Sequence, residues 1–289
     1  MDKPRVTVIV PVWNGEHTIS ACLEALLKQT VSRDEVEIVV IDNGSIDQTL
    51  AIIDRYPTVK LLTESQPGSY IARNRGIEIA QGDYVAFTDA DCVPHPDWLA
   101  EGLKRIQGLK NPGIVGGAIE LLESTATPMA LAYERLFAFR QHINVPAGNC
   151  ATANWLSPLD TVREFGGFDH TLFSGGDWKL SQQIFRAGRD VVFEPRMIVQ
   201  HPPRGTLQDI IKKRKRISGG KTLGINRSRG LFSLIISEVK DVGRRVFQTA
   251  HSKEPLKIKV SLMFVILWIG FLSVIETIHV RRGRAAFRY

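Results

Sequence analysis

Two acidic residues separated by a single residue, Asp89 and Asp91, follow Thr88 at the end of the apolar run over residues 84–87. The run has the length and composition of a buried strand, which predicts the two carboxylates at its carboxyl end. Carboxylates in that place are costly unless a cation meets them. Mg²⁺ and Mn²⁺ are commonly held by one or two carboxylates, with substrate phosphates filling the remaining positions. A turn with solvated acids has the same pattern, so the pair needs support from the rest of the chain.

Other polar residues also stand where predicted strands end. A β-rich segment over 5–12 is followed by Asn14, and an apolar segment over 37–41 is followed by Asp42 and Ser45. In open parallel sheets, ligands bind beyond the carboxyl ends of the strands. The convergence of these residues with Asp89 therefore predicts a shared ligand site at one edge of a sheet.

The order of the elements predicts an α/β fold with a mostly parallel sheet. Continuously apolar segments over 5–12, 37–41, 59–62 and 84–88 alternate with helical patterns. This alternation is typical of a parallel sheet that is covered on both faces. The second half is less regular. There we predict a strand over 114–121, helices over 129–141 and 178–186, and two short strands over 191–193 and 198–201.

The chain has 289 residues and a formal net charge of +7, and its length suffices for one large or two modest domains. Basic residues are concentrated late, over 212–221, 244–245 and 281–288. They indicate an anionic partner such as a membrane surface, a diphosphate or a nucleic acid. Aromatic residues are poorly interleaved with these charges, and no nucleic-acid binding is expected. Three cysteines without metal-ligand spacing predict reduced thiols in a cytosolic compartment.

The composition changes after residue 204, where we place a domain boundary. A domain over 1–204 would precede a helical extension over 205–289, which contains a basic segment over 212–221, an amphipathic helix over 229–249 and a hydrophobic helix over about 258–280. The uncharged run over 260–275 is slightly short for a membrane span, but extension to residue 280 reaches the usual length. The pattern predicts a span or a deep interfacial helix, with a buried soluble helix as the alternative.

The charge distribution also predicts an orientation at the membrane. Basic residues follow immediately after residue 280, which is typical of a cytoplasmic end. The N-terminal segment has no signal-peptide pattern. We therefore expect the protein at the cytoplasmic side of the cell membrane, attached through its C-terminal helices.

Four motifs together resemble those of the family 2 glycosyltransferases, inverting enzymes of the GT-A fold. The motifs are V-I-V-P-V-W-N-G at 8–15, I-D-N-G-S-I-D-Q-T at 41–49, A-R-N-R-G at 72–76 and T-D-A-D at 88–91. Each motif alone is common, but their order and spacing are specific. The resemblance covers roughly residues 5–203 and implies a Rossmann-like GT-A sheet flanked by helices. A nucleotide-sugar half would occupy about 1–110 and an acceptor half about 111–204.

The resemblance implies roles for individual residues. Asp91 and Asp89 would hold Mn²⁺ or Mg²⁺ against the donor diphosphate, with Asp89 more often toward the ribose. His201 would complete the metal shell, as a histidine does in several GT-A enzymes, and a structural role is the alternative. The residues that would bind the nucleotide are Pro11, Asn14, Asp42, Ser45 and Arg73. For Arg73, an ion pair on a helix surface is the alternative.

The general base of an inverting family member usually comes from a G-E-D segment at the start of a helix. Here the match is G-G-D-W at 175–178, so Asp177 falls on the expected base. Gly176 replaces the usual glutamate, and Lys179 occupies a place where another acid is frequent. The departures leave the acceptor contacts open, and Asp177 would also suit a helix N-cap.

The resemblance implies an enzyme that moves a sugar from a UDP- or GDP-type donor to a hydroxyl acceptor. The expected setting is cell-surface or extracellular polysaccharide or glycolipid synthesis, and a lipid-linked acceptor would suit the membrane helices. Two alternatives remain at this point. A catalytically inactive nucleotide-binding scaffold would be consistent with Gly176. A sugar nucleotidyltransferase would need a glycine-rich basic loop after the first strand, which residues 12–15 lack.

Overall fold

The computed structural model describes residues 3–122, 126–172, 174–224 and 229–286. The strands are β1 Val6–Val12, β2 Val36–Asp42, β3 Lys60–Thr63, β4 Tyr84–Phe87, β5 Val93–Pro94, β6 Pro112–Leu121, β7 Trp155–Pro158 and β8 Asp190–His201. The helices are α1 Ile19–Leu27, α2 Thr49–Ile53, α3 Ser69–Ile79, α4 Trp98–Gln107, α5 Pro128–Phe137, α6 Gln141–Asn144, α7 Leu159–Glu164, α8 Gly176–Arg186, α9 Leu207–Leu223, α10 Leu231–Ala250 and α11 Leu256–Arg281.

The strands of the described residues form one sheet in the order β3-β2-β1-β4-β7-β6-β8-β5. β1 pairs in parallel with β2 and with β4, and β2 pairs in parallel with β3. β7 runs antiparallel to β4 and to β6, and β5 runs antiparallel to β8. The predicted α/β fold is confirmed. Because β1, β2 and β4 are parallel neighbours, their carboxyl ends meet at one edge of the sheet.

The chain divides into two compact units. The first unit contains Met1–Glu120, Phe139–Thr171 and Gly176–His201, and the second contains Leu121–Ala138, Leu172–Gly175 and Pro202–Tyr289. The second unit contains α5 together with the C-terminal helices, although α5 precedes residue 204 in the chain. A boundary between independently folding domains at residue 204 stays a prediction.

The core of the first unit consists of aliphatic strand residues with tryptophans at their flank. The strand residues Val8, Ile9, Val10, Val39 and Val40 are fully buried, which is why β1 and β2 read as continuous apolar runs. Beyond them, the rings of Phe87, Trp155 and Phe168 pack edge to face.

Buried Asn154 fastens the antiparallel half of the sheet. Its side-chain nitrogen donates to the carbonyls of Ala118 at 2.7 Å and Met197 at 2.8 Å, and its oxygen accepts from Trp98 Nε1 at 2.8 Å. With donors and acceptor all satisfied, the amide is tolerated in the interior.

Two elements differ from the sequence-based predictions. The helix predicted over 129–141 ends at Phe137, because Phe139 has a positive φ of 43° and breaks the helix before α6 begins. The two short strands predicted over 191–193 and 198–201 are one strand, β8. The polar stretch over 194–196 misled the prediction. Glu194 is buried there, and it accepts hydrogen bonds from the backbone and side chain of Arg196.

In the second unit, α5, α9, α10 and α11 share an apolar core. Residues of this core include Ala130, Tyr133, Ile210, Leu262, Ile266 and Ile269. α9 begins with a capping box, in which Thr206 Oγ1 accepts from Asp209 N and the Asp209 carboxylate accepts from Thr206 N. Among the described residues, α11 is the one helix whose length and apolar composition would allow it to cross a membrane.

We expect Gly117→Ala to destabilise the first unit by about 1–3 kcal/mol. A Cβ at this position would lie 2.0 Å from the Met197 carbonyl oxygen and 2.4 Å from Asn154 Nδ2. Chemical denaturation of the full chain measures the loss. Gly108→Ala is the matched control, because a Cβ there meets no atom closer than 3.6 Å. Equal stability of the two variants would contradict the packing described around Asn154.

Candidate active site at the carboxyl ends of the parallel strands

The loop after β2 is folded around a buried carboxylate. The Asp42 side chain is only 2% exposed and accepts hydrogen bonds from the backbone N–H groups of Gly44 and Ser45, at 3.1 to 3.3 Å. Gly44 has a φ of +83°, a conformation that glycine adopts without strain. Asp42 therefore stands at the strand end, where the sequence predicted it, and it also shapes the loop that follows.

Asn14 joins the loop after β1 to the loop after β2. Its backbone N–H donates to Ser45 Oγ at 2.8 Å, and its side-chain oxygen accepts from Ile46 N at 2.9 Å. Asn14 takes a positive φ of 50°, which asparagine tolerates better than most residues. Two of the predicted nucleotide-binding residues are thus in direct contact, and the two loops form one wall.

Pro11 lies within β1, opposite Ile41 of β2. The pairing of β1 with β4 ends at Ile9 and Phe87, two residues before Pro11. Alternate residues of a parallel strand bond to the same neighbour, and Ile9 accepts from Thr88 N. The backbone of Pro11 therefore faces the space beyond the end of β4. Its lack of an N–H group costs no hydrogen bond between strands there.

Arg73 projects from α3 toward the acidic pair. Its side chain is 5% exposed and forms an ion pair through Nη2 with Asp89 Oδ1, while Nη1 donates to the Ser69 carbonyl at 3.3 Å. The helix lies close to the sheet because residue 76 is glycine: a Cβ there would be 2.6 Å from Ile9 Cγ2. Arg73 thus forms an ion pair, but a buried one rather than one on a helix surface.

Asp89, Asp91, Cys92 and His201 form a cluster whose potential ligand atoms all lie within 4.8 Å of one another. His201 Nε2 lies 3.6 Å from Asp91 Oδ2. The pairing of β5 with β8 explains the proximity. The chain leaves Asp91 and at once pairs with the end of β8, Val93 opposite Gln200, one residue before His201. The sequence placed three members of this cluster in one metal site, and the structure brings those three together.

The donor atoms of the cluster suit a hard divalent cation. Asp89 and Asp91 offer carboxylate oxygens and His201 offers an imidazole nitrogen, a set that Mn²⁺ accepts and Mg²⁺ accepts in part. Burial, reinforced by the two neighbouring carboxylates, raises the pKa of the Cys92 thiol well above its ordinary value. Sulfur is in any case a soft ligand and a poor match for such hard ions. The residues present therefore fit Mn²⁺ or Mg²⁺, which Asp89, Asp91 and His201 would hold.

Asp177 lies in the first turn of α8 and is held by Tyr70 of α3. Tyr70 Oη donates to Asp177 Oδ1 at 3.1 Å, and Trp178 N lies 3.0 Å from the same oxygen. Burial raises the pKa of the Asp177 carboxyl, although these hydrogen bonds and the charge of Arg73 oppose the shift. A half-buried carboxyl with a raised pKa is suited to accept a proton.

The replacement of the family glutamate by Gly176 has a steric explanation. A Cβ at this position would lie 2.8 Å from Tyr70 Cε2. The Tyr70 ring is fixed by stacking on Phe168, with centroids 5.6 Å apart. The lack of a side chain at residue 176 thus leaves room for the Tyr70 ring, whose hydroxyl donates a hydrogen bond to Asp177.

Lys179, where the family often has another acid, forms an ion pair with Asp169. Burial acts to raise the pKa of Asp169, but hydrogen bonds from Lys179 and Thr171 outweigh it and lower the pKa to about 2. The lysine therefore has a local partner on the loop that precedes α8.

Sequence reasoning missed Tyr70 and Cys92. Cys92 directly follows Asp91, but the cysteines were considered only for metal-ligand spacing along the chain. Tyr70 stands three residues before Arg73, so both side chains lie on one face of α3. Helical spacing from Arg73 could have identified it.

Comparison with known proteins agrees with the geometry. The Glycosyl transferase family 2 model matches residues 7–147. Glycosyltransferase AglE of Haloferax volcanii is 34% identical over 224 residues, which cover 75% of this chain and 73% of the relative. The chain belongs to glycosyltransferase family 2. It is a glycosyltransferase, and this membership decides against the nucleotidyltransferase alternative.

Two further proteins resemble this glycosyltransferase over most of its length. A dolichyl N-acetyl-α-D-glucosaminyl phosphate 3-β-D-2,3-diacetamido-2,3-dideoxy-β-D-glucuronosyltransferase of Methanococcus voltae is 23% identical over 80% of the chain and 76% of the relative. The structure of a mannosyltransferase from Pyrobaculum calidifontis, in complex with GDP-Man and Mn²⁺, matches with a TM-score of 0.60 at 21% identity. The match covers 99% of this chain and 77% of that chain. The GT-A fold is thereby confirmed.

We expect Lys179→Met to raise the pKa of Asp169 from about 2 toward about 3.9, the ordinary value of aspartate. Since the wild-type pKa is depressed in the folded state, the ion pair stabilises the fold above about pH 4 and this contribution is lost as the pH falls toward 2. Titration of the carboxyl carbon by NMR measures the shift. Lys104→Met, which replaces an exposed lysine of α4, is the control. An unchanged Asp169 pKa in Lys179→Met would contradict the assigned pairing.

Proposed function

We propose that this glycosyltransferase moves a sugar from a nucleoside-diphosphate sugar to a hydroxyl group, with inversion at the transferred carbon. One observation carries the proposal: helix α3 contacts both the acidic cluster and the proposed base. Arg73 forms an ion pair with Asp89 of the cluster, and Tyr70 donates a hydrogen bond to Asp177. The proposed donor is of the UDP or GDP type. The mannosyltransferase of the same fold is bound to GDP-Man and Mn²⁺, which supports this class of donor.

The wall formed by the loops after β1 and β2 is the proposed site of the nucleoside. Asp42 uses its oxygens for two backbone N–H groups and keeps lone pairs for a further donor such as a ribose hydroxyl. Pro11, Asn14 and Ser45 would border the base and ribose. Arg73 would add positive charge on the nucleotide side of Asp89.

The acidic cluster is the proposed site of Mn²⁺ or Mg²⁺, held by Asp91, Asp89 and His201. When bound, such an ion neutralises charge on the diphosphate leaving group. The chain's own contribution is to fix the three side chains. Arg73 holds Asp89, and the β5–β8 pairing holds Asp91 beside His201.

Asp177 is the proposed general base. As the acceptor hydroxyl attacks the sugar carbon, its proton passes to the Asp177 carboxylate, and the bond between that carbon and the diphosphate oxygen breaks. Tyr70 keeps the carboxylate oriented by donating to one of its oxygens. The other oxygen is then the acceptor for the proton.

The acceptor is proposed to be lipid-linked, and the product to serve cell-surface or extracellular polysaccharide or glycolipid synthesis. The Methanococcus voltae relative is named for a dolichyl phosphate-linked sugar as its substrate. The apolar helix α11 supports attachment of the chain to a membrane. The proposed location is the cytoplasmic side of the cell membrane.

Donor turnover tests the proposal. The purified full chain is incubated with Mn²⁺, a panel of UDP- and GDP-sugars and a membrane lipid extract as acceptor, and released nucleotide is measured. We expect release from one donor, reduced about 100-fold or more in Asp177→Asn because the proton acceptor is lost. Asp91→Asn is expected to lose activity together with the dependence on Mn²⁺.

Asp97→Asn is the matched control for both variants, because this exposed carboxylate lies outside the acidic cluster. It is expected to retain wild-type turnover. Undiminished turnover in Asp177→Asn would contradict the assignment of the base. Nucleotide binding without release from any donor would favour the inactive scaffold.

The acid limb of the pH–rate profile tests the role of Tyr70. Turnover needs deprotonated Asp177, so the rate is expected to fall as the pH drops through the raised pKa of this carboxyl. Tyr70→Phe removes a hydrogen bond that lowers this pKa, and the limb is expected to move to higher pH. Tyr56→Phe, which loses only a hydroxyl contact with Ser20, is the control. A limb that moves to lower pH, or not at all, would contradict the role of Tyr70.

A further inference from the structure

One face of α11 is packed against protein along most of its length. Buried residues recur at helical spacing from the first turns to the last: Leu262, Ile266, Ile269, Gly270, Ser273, Glu276, Thr277 and Val280. They contact α5, α9 and α10 within the second unit. At 26 residues, the helix is about 39 Å long and its length alone would allow a span.

The opposite face of α11 is apolar and exposed. Its exposed side chains are those of Val260, Phe264, Leu267, Trp268 and Phe271, which we call the apolar stripe. Phe264 is 69% exposed and Trp268 is 53% exposed. The preceding helix α10 has a similar exposed row, Phe232, Ile236, Val239 and Phe247. Contiguous apolar faces of this kind mark sites of interaction.

Charged residues lie beside the middle of α11. α10 crosses α11 where Gly270 meets Val242, since a Cβ on Gly270 would be 2.2 Å from Val242 Cγ2. Gly270 is within two residues of the helix midpoint. The residue before Val242 is Asp241, which forms ion pairs with Arg214 of α9 at 3.2 Å, Arg245 at 2.8 Å and Arg244.

These ion pairs bear on the orientation of α11 relative to a lipid bilayer. If α11 crossed a bilayer, the Asp241 cluster would lie near the middle of the hydrocarbon, where charged side chains are most costly. Arg244 in particular is exposed, at 65% of its side chain, and would have no protein cover there. With α11 parallel to the surface, the charges stay at the level of the headgroups or the water. The apolar stripe can then enter one leaflet.

We propose that α11 lies in the plane of a lipid bilayer, with the apolar stripe inserted into one leaflet, and that it does not span. This deepens the proposed membrane attachment of the glycosyltransferase and rests on it. The partner is an anionic bilayer surface. Exposed basic residues border the two helices, namely Lys240, Arg244, Lys257, Arg282 and Arg284, and they complement negative headgroups. The same like charges oppose pairing of this face with a second copy of the chain.

The test measures the depth of Trp268 in vesicles. The full chain is bound to vesicles of neutral and anionic phospholipid, brominated on acyl carbons either near the headgroup or near the chain end. The fluorescence quenched in the wild type but not in Trp268→Phe reports this residue, because the other four of the five tryptophans are common to both. A helix in the surface plane places Trp268 about 5–10 Å into the leaflet. A spanning helix places it near the bilayer centre, about 15 Å deep.

We expect stronger quenching by the shallow bromines and weaker binding to neutral vesicles. The double variant Phe264→Glu with Phe271→Glu is expected to bind anionic vesicles at least about tenfold more weakly, since both side chains belong to the exposed stripe and two carboxylates would have to enter the leaflet. Ile143→Glu, at an exposed apolar residue of the first unit, is the control and should bind like the wild type.

Three outcomes would overturn the inference: stronger quenching by the deep bromines, binding that the double variant does not weaken, and a dimer that forms through this face without vesicle binding. None of these readouts uses turnover. Failure of the proposed glycosyl transfer would appear separately, as absent nucleotide release from a chain that still binds vesicles.

Discussion

The acidic residues at the end of β4 impose the constraint on which the site depends. Asp89 and Asp91 follow the end of this buried strand with their carboxylates close together, and the repulsion between the two negative charges has to be offset by positive partners. Arg73 meets this need for Asp89, as a buried guanidinium that itself requires an anion. The close approach of α3 to the sheet, permitted by Gly76, is what allows the pair to form. On the other side, β5 turns back onto β8 and brings His201 to Asp91.

The same helix links the two chemical roles of the site. Arg73 and Tyr70 lie on one face of α3, and they contact Asp89 and Asp177 respectively. Asn74 fastens α3 to the loop that precedes α8 by exchanging two hydrogen bonds with the backbone of Phe168. A displacement of α3 would therefore alter the acidic cluster and the proposed base together. The A-R-N-R-G motif accordingly supplies an ion-pair partner, a bridge and a close contact within five residues.

Sequence patterns predicted the parallel half of the fold well, because its strands are continuous apolar runs that end in polar turns. They predicted β8 as two strands, since the buried Glu194 interrupts its apolar pattern, and they ran α5 past Phe139, whose left-handed backbone has no sequence signature. The contact of Tyr70 with Asp177 joins residues 107 positions apart. Such a contact depends on how α3 and α8 pack, which local periodicity does not encode. Hydropathy likewise identified α11, but not the ion pairs beside its midpoint.

The proposed function requires a metal–diphosphate site at the edge of the sheet formed by Asp89, Asp91 and His201, next to Asp177. The most direct measurement is a crystal structure with Mn²⁺ and a nucleoside diphosphate, recorded at an energy that excites manganese. We expect an anomalous peak within coordination distance of Asp91 and His201, with the diphosphate on the same ion and the ribose toward Asp42. A nucleotide bound away from this edge, or a manganese peak that none of the three side chains contacts, would contradict the proposed metal–diphosphate site.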